Sequence, residues 1–323
     1  MRNLSLDLKL IVLAVLVLAA MGTYLCWGLN FKFWEFALSI RIPKLLAMSL
    51  AAVCIGAASL IFQTLINNYM VTPCLLGMNS LYVLLHTLLV FTLGMGSFII
   101  TNKNLAFLCD LALMGTVAVV LYSYLFRKTK YNVLYVLLIG AVLTTFLTSV
   151  QSTMVRTMDP NDYDALLTTL VASFENVNHE VLALSFGMTV ALTLVSLPKL
   201  RLLNVIALGK MHAQSLGVDY DRNIRWLLLY VTLLIAIATA LVGPISFMGL
   251  ITTNVARQLF KTYRHSYLIT GTMLLTLLIL IAGQMMIERI FVYSIPISVL
   301  ITIGGGTYFL YLILRGQRQG RMA

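Results

Sequence analysis

Val242-Gly-Pro-Ile-Ser-Phe-Met-Gly249 interrupts an apolar region, residues 224–260, that hydropathy alone reads as one over-long segment. Proline lacks a backbone donor and glycine bends freely, so Gly243-Pro244 predicts a tight turn between two spans, the second a short one. Whether the chain crosses a membrane nine or ten times turns on these residues.

Outward from this turn the chain is almost continuously apolar. Of its 323 residues 60% are hydrophobic and 10% charged, with a mean hydropathy of +0.96, which leaves too little polar surface to cover a soluble globule. Runs of about 20 apolar residues, enough to cross a bilayer core of roughly 30 Å, recur from end to end. They fall at 8–29, 45–65, 75–95, 105–126, 133–155, 181–198, 224–241, 244–258, 267–287 and 297–314. The expected fold is all-α: a polytopic membrane protein with ten transmembrane helices in a single domain, residues 1–323. The first run follows Arg2 and Lys9 but is long enough to span. It shows no small-residue cleavage site and no lipobox before Cys26, so it reads as a retained span.

Charge decides the count. With ten spans and the N-terminus inside, sixteen Lys and Arg fall on cytoplasmic segments and six outside: Lys32, Arg41, Lys44, Lys103, Arg156 and Arg289. With nine spans the tally becomes eleven on each side, which erases the positive-inside bias. Ten spans with both termini cytoplasmic is the better reading. The net charge of +11 therefore reflects topology and not nucleic-acid binding.

Two loops are large enough to carry function. The outer one, about 156–180, is acidic, with Asp159, Asp162, Asp164, Glu175 and Glu180. Its Asp159-Pro-Asn-Asp-Tyr-Asp164 run lacks the glycine and terminal Glu of a calcium loop, so it reads as solvated acidic surface. The inner one, about 199–225, is basic and contains Leu208-Gly-Lys-Met-His-Ala-Gln-Ser-Leu-Gly217. This is a compact surface suited to a short helix lying on another protein, and on composition alone a plain linker suits it equally.

Soluble catalytic chemistry is missing. No GxxxxGK[ST] occurs, so the chain supplies no ATPase of its own, and neither HExxH nor GxSxG appears. Cys26, Cys54, Cys74 and Cys109 stand singly, without a CxxC, and His86, His179, His212 and His265 are scattered. No metal site and no catalytic residue is expected. Asp110, in the fourth span, is the notable intramembrane carboxylate. Such a group is by default a functional hypothesis, here a proton or cation site, set against an interfacial or structural role.

Arg41-Ile-Pro-Lys-Leu-Leu-Ala47, Ile55-Gly-Ala-Ala-Ser59, Gln63, Asn68 and Thr72-Pro-Cys-Leu-Leu-Gly77 form a recognisable signature. It continues through Leu203-Asn-Val-Ile-Ala-Leu-Gly209, Ser215-Leu-Gly-Val218, Val242 to Leu250, Ala256-Arg257, Pro296 and Phe309-Leu-Tyr-Leu312. In this order, over nearly the whole chain, it resembles the FecCD-type permeases of bacterial ABC importers for iron-siderophores, haem and vitamin B12. The chain departs from many members at Thr253-Asn254, where they have Pro-His, and at Gly304-Gly-Gly-Thr-Tyr-Phe309, where they have Gly-Ala-Pro-Phe-Phe. With Asn79-Ser-Leu-Tyr82 these features look most like the branch that serves catecholate-type ferric siderophores.

The resemblance implies the type II importer fold and a dimer of permeases in the bacterial cytoplasmic membrane. The second permease subunit would be another copy or a related chain. Two cytoplasmic ATPases carrying ATP and Mg would lie below and an extracytoplasmic binding protein above, with no cofactor on this chain. By the same resemblance, Arg41 and Lys44, with Arg289 near a third family position, dock the binding protein. Leu208, Gly209, Met211, His212, Ala213, Ser215, Leu216 and Gly217 form the ATPase coupling element, two short helices in which the glycines permit turns and Met211, Ala213 and Leu216 fill the cleft. Thr144, Thr145 and Ser149, with Ser173 and Phe174, mark the translocation gate. The small residues Gly56, Ala57, Ala58 and Gly304 to Gly306 are expected at close helix contacts. Haem or cobalamin as cargo, a proton-driven transporter built on Asp110, and a membrane scaffold without transport activity are the other readings.

Overall fold

The computed structural model describes residues 5–28, 34–94, 96–128, 133–175 and 177–320. The chain termini and the census charges Arg2, Lys32, Lys130 and Arg321 lie outside the described residues. Among the described residues every regular element is helical.

A helix overlaps each of the ten apolar runs. They are α1 (Leu6–Cys26), α2 (Trp34–Ile66), α3 (Met78–Leu93), α5 (Lys103–Lys128), α6 (Val133–Arg156), α8 (His179–Leu200), α11 (Tyr220–Val242), α12 (Met248–Phe260), α13 (His265–Arg289) and α14 (Ile297–Gly320). Four short helices, α4 (Phe98–Thr101), α7 (Pro160–Leu170), α9 (Leu203–Ile206) and α10 (Lys210–Ser215), fill the connections. Among the described residues, seven helices can cross a membrane by length and composition: α1, α2, α5, α6, α8, α11 and α13. The apolar helices α3 and α14 are shorter over their described apolar parts, and α12 has 13 residues.

Capping residues set several starts. Ser5, Asp159, Asn178 and Asp219 each accept a backbone N–H in the first turn of α1, α7, α8 and α11. Gly243 ends α11 as the sequence predicts: its φ is +86° and its N–H bonds Thr239 O at 2.8 Å. The chain runs on without helix to Phe247, where α12 begins.

Three expectations change. The second helix begins at Trp34 and not near residue 45, so Pro43 lies inside it and Arg41 and Lys44 are helical rather than at the start. A proline removes one backbone bond, and the long apolar run that follows sustains the helix through it. The outer loop holds α7, started by the Asp159-Pro160 pair as N-cap and first helical residue. Of Gly304, Gly305 and Gly306 in α14 only Gly305 makes a close approach, to Phe247; Gly304 and Gly306 have nothing within 4 Å of where a Cβ would sit.

The core is built around α2, flanked by α11 and α13. In the apolar window of α2 83% of residues are buried, against 17% in α1, which makes α2 central and α1 peripheral. Gly56, Ala57 and Ala58 are buried as expected, and Gly56 lies where a Cβ would stand 3.1 Å from the backbone of Met273 on α13. In lipid, where helix association rests on close packing, such contacts hold the centre together.

Candidate functional site

At one face, the end of α1 has no basic residue of its own, and its carbonyls are capped from other helices. Arg41 Nη1 donates to the carbonyls of Tyr24, Leu25 and Trp27 at 3.2, 2.8 and 3.0 Å, and Arg289 Nη2 donates to Trp27 O as well. Cations at a helix C-terminus offset the negative end of its dipole. Lys44 is buried, with Nζ 3.8 Å from Glu288 Oε1 and 5.4 Å from the centre of the Tyr293 ring. The same Glu288 oxygen accepts from the Tyr24 hydroxyl at 2.9 Å and from Gln284 Nε2 at 3.0 Å. The structure thus brings the three predicted docking cations together: Arg289 is exposed, Arg41 half-buried, and Lys44 turned inward. Glu288, which joins α1, α2 and α13, was not singled out in the sequence.

The residues predicted to form a gate divide into two groups. Thr145 and Ser149 are exposed along α6, and Thr144 is half-buried; their hydroxyls donate to carbonyls four residues back. Such back-bonding satisfies a hydroxyl without a tertiary partner. Phe174 is buried, and Ser173 N–H donates to Val242 O at 3.0 Å. There the glycine is needed, because a Cβ on Gly243 would stand 2.7 Å from Ala172 Cα. Asn79 Nδ2 ties the start of α3 to Ser246 Oγ at 3.1 Å. Ser173 also faces a cavity of about 580 Å³ lined by His86, Lys103, Asp110 and Glu175.

Asp110 is 4% exposed, and its partner comes from another helix. His86 Nδ1 on α3 stands 2.8 Å from Asp110 Oδ2, stacked on Tyr82 with ring centres 5.8 Å apart. A period-based reading of one helix cannot see a partner 24 residues away.

At the opposite face lies the predicted coupling element. Leu203 and Ile206 of α9 are buried in the core. Asn204 Oδ1 accepts from His265 N at 3.1 Å and lies 2.7 Å from its Nδ1, while His265 Nε2 lies 3.1 Å from Thr64 Oγ1 at the end of α2. The element is therefore anchored to α2 and α13. Gly209 and Gly217 have φ of +91° and +78°. Val218 N–H reaches Ala213 O at 3.0 Å and Gly217 N–H reaches Gln214 O at 2.9 Å, the paired bonds of a Schellman ending. Lys210 Nζ bonds Asp221 at 2.9 Å. Leu208, Met211 and Leu216 are 57%, 81% and 63% exposed, and His212 and Ser215 are exposed. Ala213 is 0% exposed, so it packs inward against its own chain and cannot help fill a partner's cleft.

The structure is a long helical bundle with polar clusters on both faces and a glycine-bounded helix offering apolar side chains. The FecCD transport family matches residues 9–315, and the chain belongs to it. It is 37% identical over 315 residues to the petrobactin import system permease protein YclO of Bacillus subtilis, covering 98% of each chain. It is 31% identical over 275 residues to the petrobactin import system permease protein FatC of Bacillus anthracis, covering 85% of this chain and 78% of that one. A solved structure described as an inward-facing metal-chelate type ABC transporter shares the fold, with a TM-score of 0.78, 22% identity and coverage of 96% and 99%.

Proposed function

We propose that this chain is the permease subunit of an ATP-driven importer that carries a ferric siderophore across the bacterial cytoplasmic membrane. The observation that carries this reading is α10 with its C-cap, whose Met211 and Leu216 are exposed on a firmly anchored element in a chain of a transport family. Exposed apolar side chains held rigidly in place are what a protein partner covers. The two relatives named for petrobactin, a catecholate siderophore, support the catecholate branch over haem or cobalamin.

In this reading residues 1–323 form one domain with ten crossings and both termini cytoplasmic, on the positive-inside argument. Leu208, Gly209, Met211, His212, Ser215, Leu216 and Gly217 seat a separate ATPase that brings ATP and Mg. Arg41 and Arg289, backed by Lys44, receive an extracytoplasmic binding protein. Thr144, Thr145 and Ser149 line the path between this chain and a second permease, and Ser173 and Phe174 close its outer end. The chain itself carries no cofactor.

The test is purification of the tagged protein from its native membrane in mild detergent, with siderophore uptake measured in cells lacking it. Copurification of an ATPase together with loss of ferric-siderophore uptake is the expected result. A chain recovered alone from cells with unchanged uptake would overturn the proposal.

A further inference from the structure

On the face that carries α10, a cavity of about 670 Å³ lies between the end of α2, α9, the end of α12 and the start of α13. Leu208 forms part of its wall, and two basic side chains line it, Arg257 and Lys261, four residues apart. Like charges lining one cavity repel, and no Asp or Glu is among the residues lining it. The C-terminal end of α12 favours a cation nearby, which accounts for one charge there. It does not account for how the guanidinium is held.

Arg257 lies against the ring of Tyr69, with Cζ 4.3 Å from the ring centre. The backbone that carries this ring is held in turn, since Tyr69 O accepts from Gln63 Nε2 at 2.9 Å and from Asn254 Nδ2 at 3.1 Å. Stacking satisfies the face of a guanidinium and leaves its edge to find acceptors. Yet Nε and Nη2 of Arg257 are buried with no hydrogen-bond partner among the described residues. Buried charged donors left in this way are costly, and such a group calls for a specific acceptor. Lys261 reaches the same cavity from a left-handed position with φ of +45°. Asn67, just past the end of α2, also lines the cavity.

We propose that this cavity is a phosphate-binding site, with Arg257 and Lys261 as its charged ligands. Oxygens of a phosphate group would meet the two basic side chains at the end of α12, and the negative charge would relieve their mutual repulsion. The group comes from free phosphate or from the headgroup of an anionic phospholipid, since basic pockets between membrane helices take such headgroups.

The test uses the full chain as purified in maltoside, which contributes no phosphate, and reads the thermal unfolding midpoint. Inorganic phosphate is added against chloride at equal ionic strength, and phosphatidylglycerol against phosphatidylcholine in mixed micelles. A saturable rise with inorganic phosphate assigns the site to the free ion; a rise with phosphatidylglycerol alone assigns it to a headgroup. In either case Arg257→Gln should abolish the rise, and Lys261→Asn, which keeps the left-handed backbone available, should weaken the apparent affinity about tenfold. No rise with either probe, or an equal rise in Lys261→Asn, overturns the proposal, and the second variant decides the matter even if Arg257→Gln fails to fold.

Discussion

Lys44 and Glu288 meet at 3.8 Å with side chains only 9% and 11% exposed, so a predicted surface cation on α2 is an inner strut to α13. Removing one partner of such a pair leaves the other charge uncompensated. Glu288→Ala is expected to cost on the order of 3 kcal/mol, by analogy with broken buried pairs, and to lower the unfolding midpoint in detergent. Replacing both residues with apolar ones, Lys44→Met with Glu288→Leu, should recover the part owed to the unpaired Lys44 charge, while Tyr24 and Gln284 still lack their acceptor. A double variant as unstable as the single one would show that the pair is not the strut.

Arg289 and Lys44 should behave differently when their charge is reversed. Arg289 is exposed, so Arg289→Glu should leave the fold intact and weaken association with the binding protein, most clearly at low salt. Lys44→Glu faces Glu288 in a buried setting and should fail to accumulate in the membrane. Binding measured at two ionic strengths, with protein yield alongside, separates the two effects.

On α10, Met211→Asp and Leu216→Asp place charge on exposed positions and should leave thermal stability unchanged. Siderophore uptake should nevertheless fall at least tenfold, roughly the loss from spoiling an interface anchor worth about 2 kcal/mol. Ala213→Glu should instead unfold α10 locally, because its Cβ points into the chain. Uptake together with ATPase copurification reads the first pair, and protease sensitivity near residue 210 reads the last.

How much of this was legible beforehand depended on how local the signal was. Gly243-Pro244 is a contiguous turn signal, and the α11–α12 break fell where it pointed. The Gly209 and Gly217 boundaries were equally local. Asp159-Pro160 was a sound helix start, but the acidic composition around it argued for a solvated loop and α7 was missed. Pro43 misled in the opposite direction, since proline is a boundary signal by default and only the packing of α2 shows it inside a helix. The inward turn of Ala213, the capping of α1 by Arg41 and the joining of three helices by Glu288 are tertiary facts, with no period or spacing to announce them.

Asp110 and His86 were both visible as residues and invisible as a pair. Asp110→Ala should leave His86 buried without its acceptor and lower stability by about 2 kcal/mol. Uptake by Asp110→Asn should stay within about twofold of the parent, and it should persist when the proton gradient is collapsed with ATP maintained. Loss of uptake on uncoupling would return Asp110 to a proton-carrying role.

The 33 residues of α2 form an uninterrupted helix, about 50 Å at 1.5 Å per residue, against a bilayer core of roughly 30 Å. Arg41, beside the end of α1, and Thr64, beside His265 and the α9 anchor, are therefore fixed points about 35 Å apart on one shaft. Pro43 removes one backbone bond near the Arg41 end, and packing against α11 and α13 at the centre of the bundle holds the rest of the shaft in line. Any swing imposed where the α9–α10 element is fastened must displace the opposite end as well, so the two faces are joined mechanically, by a lever arm and not by a relay of side chains.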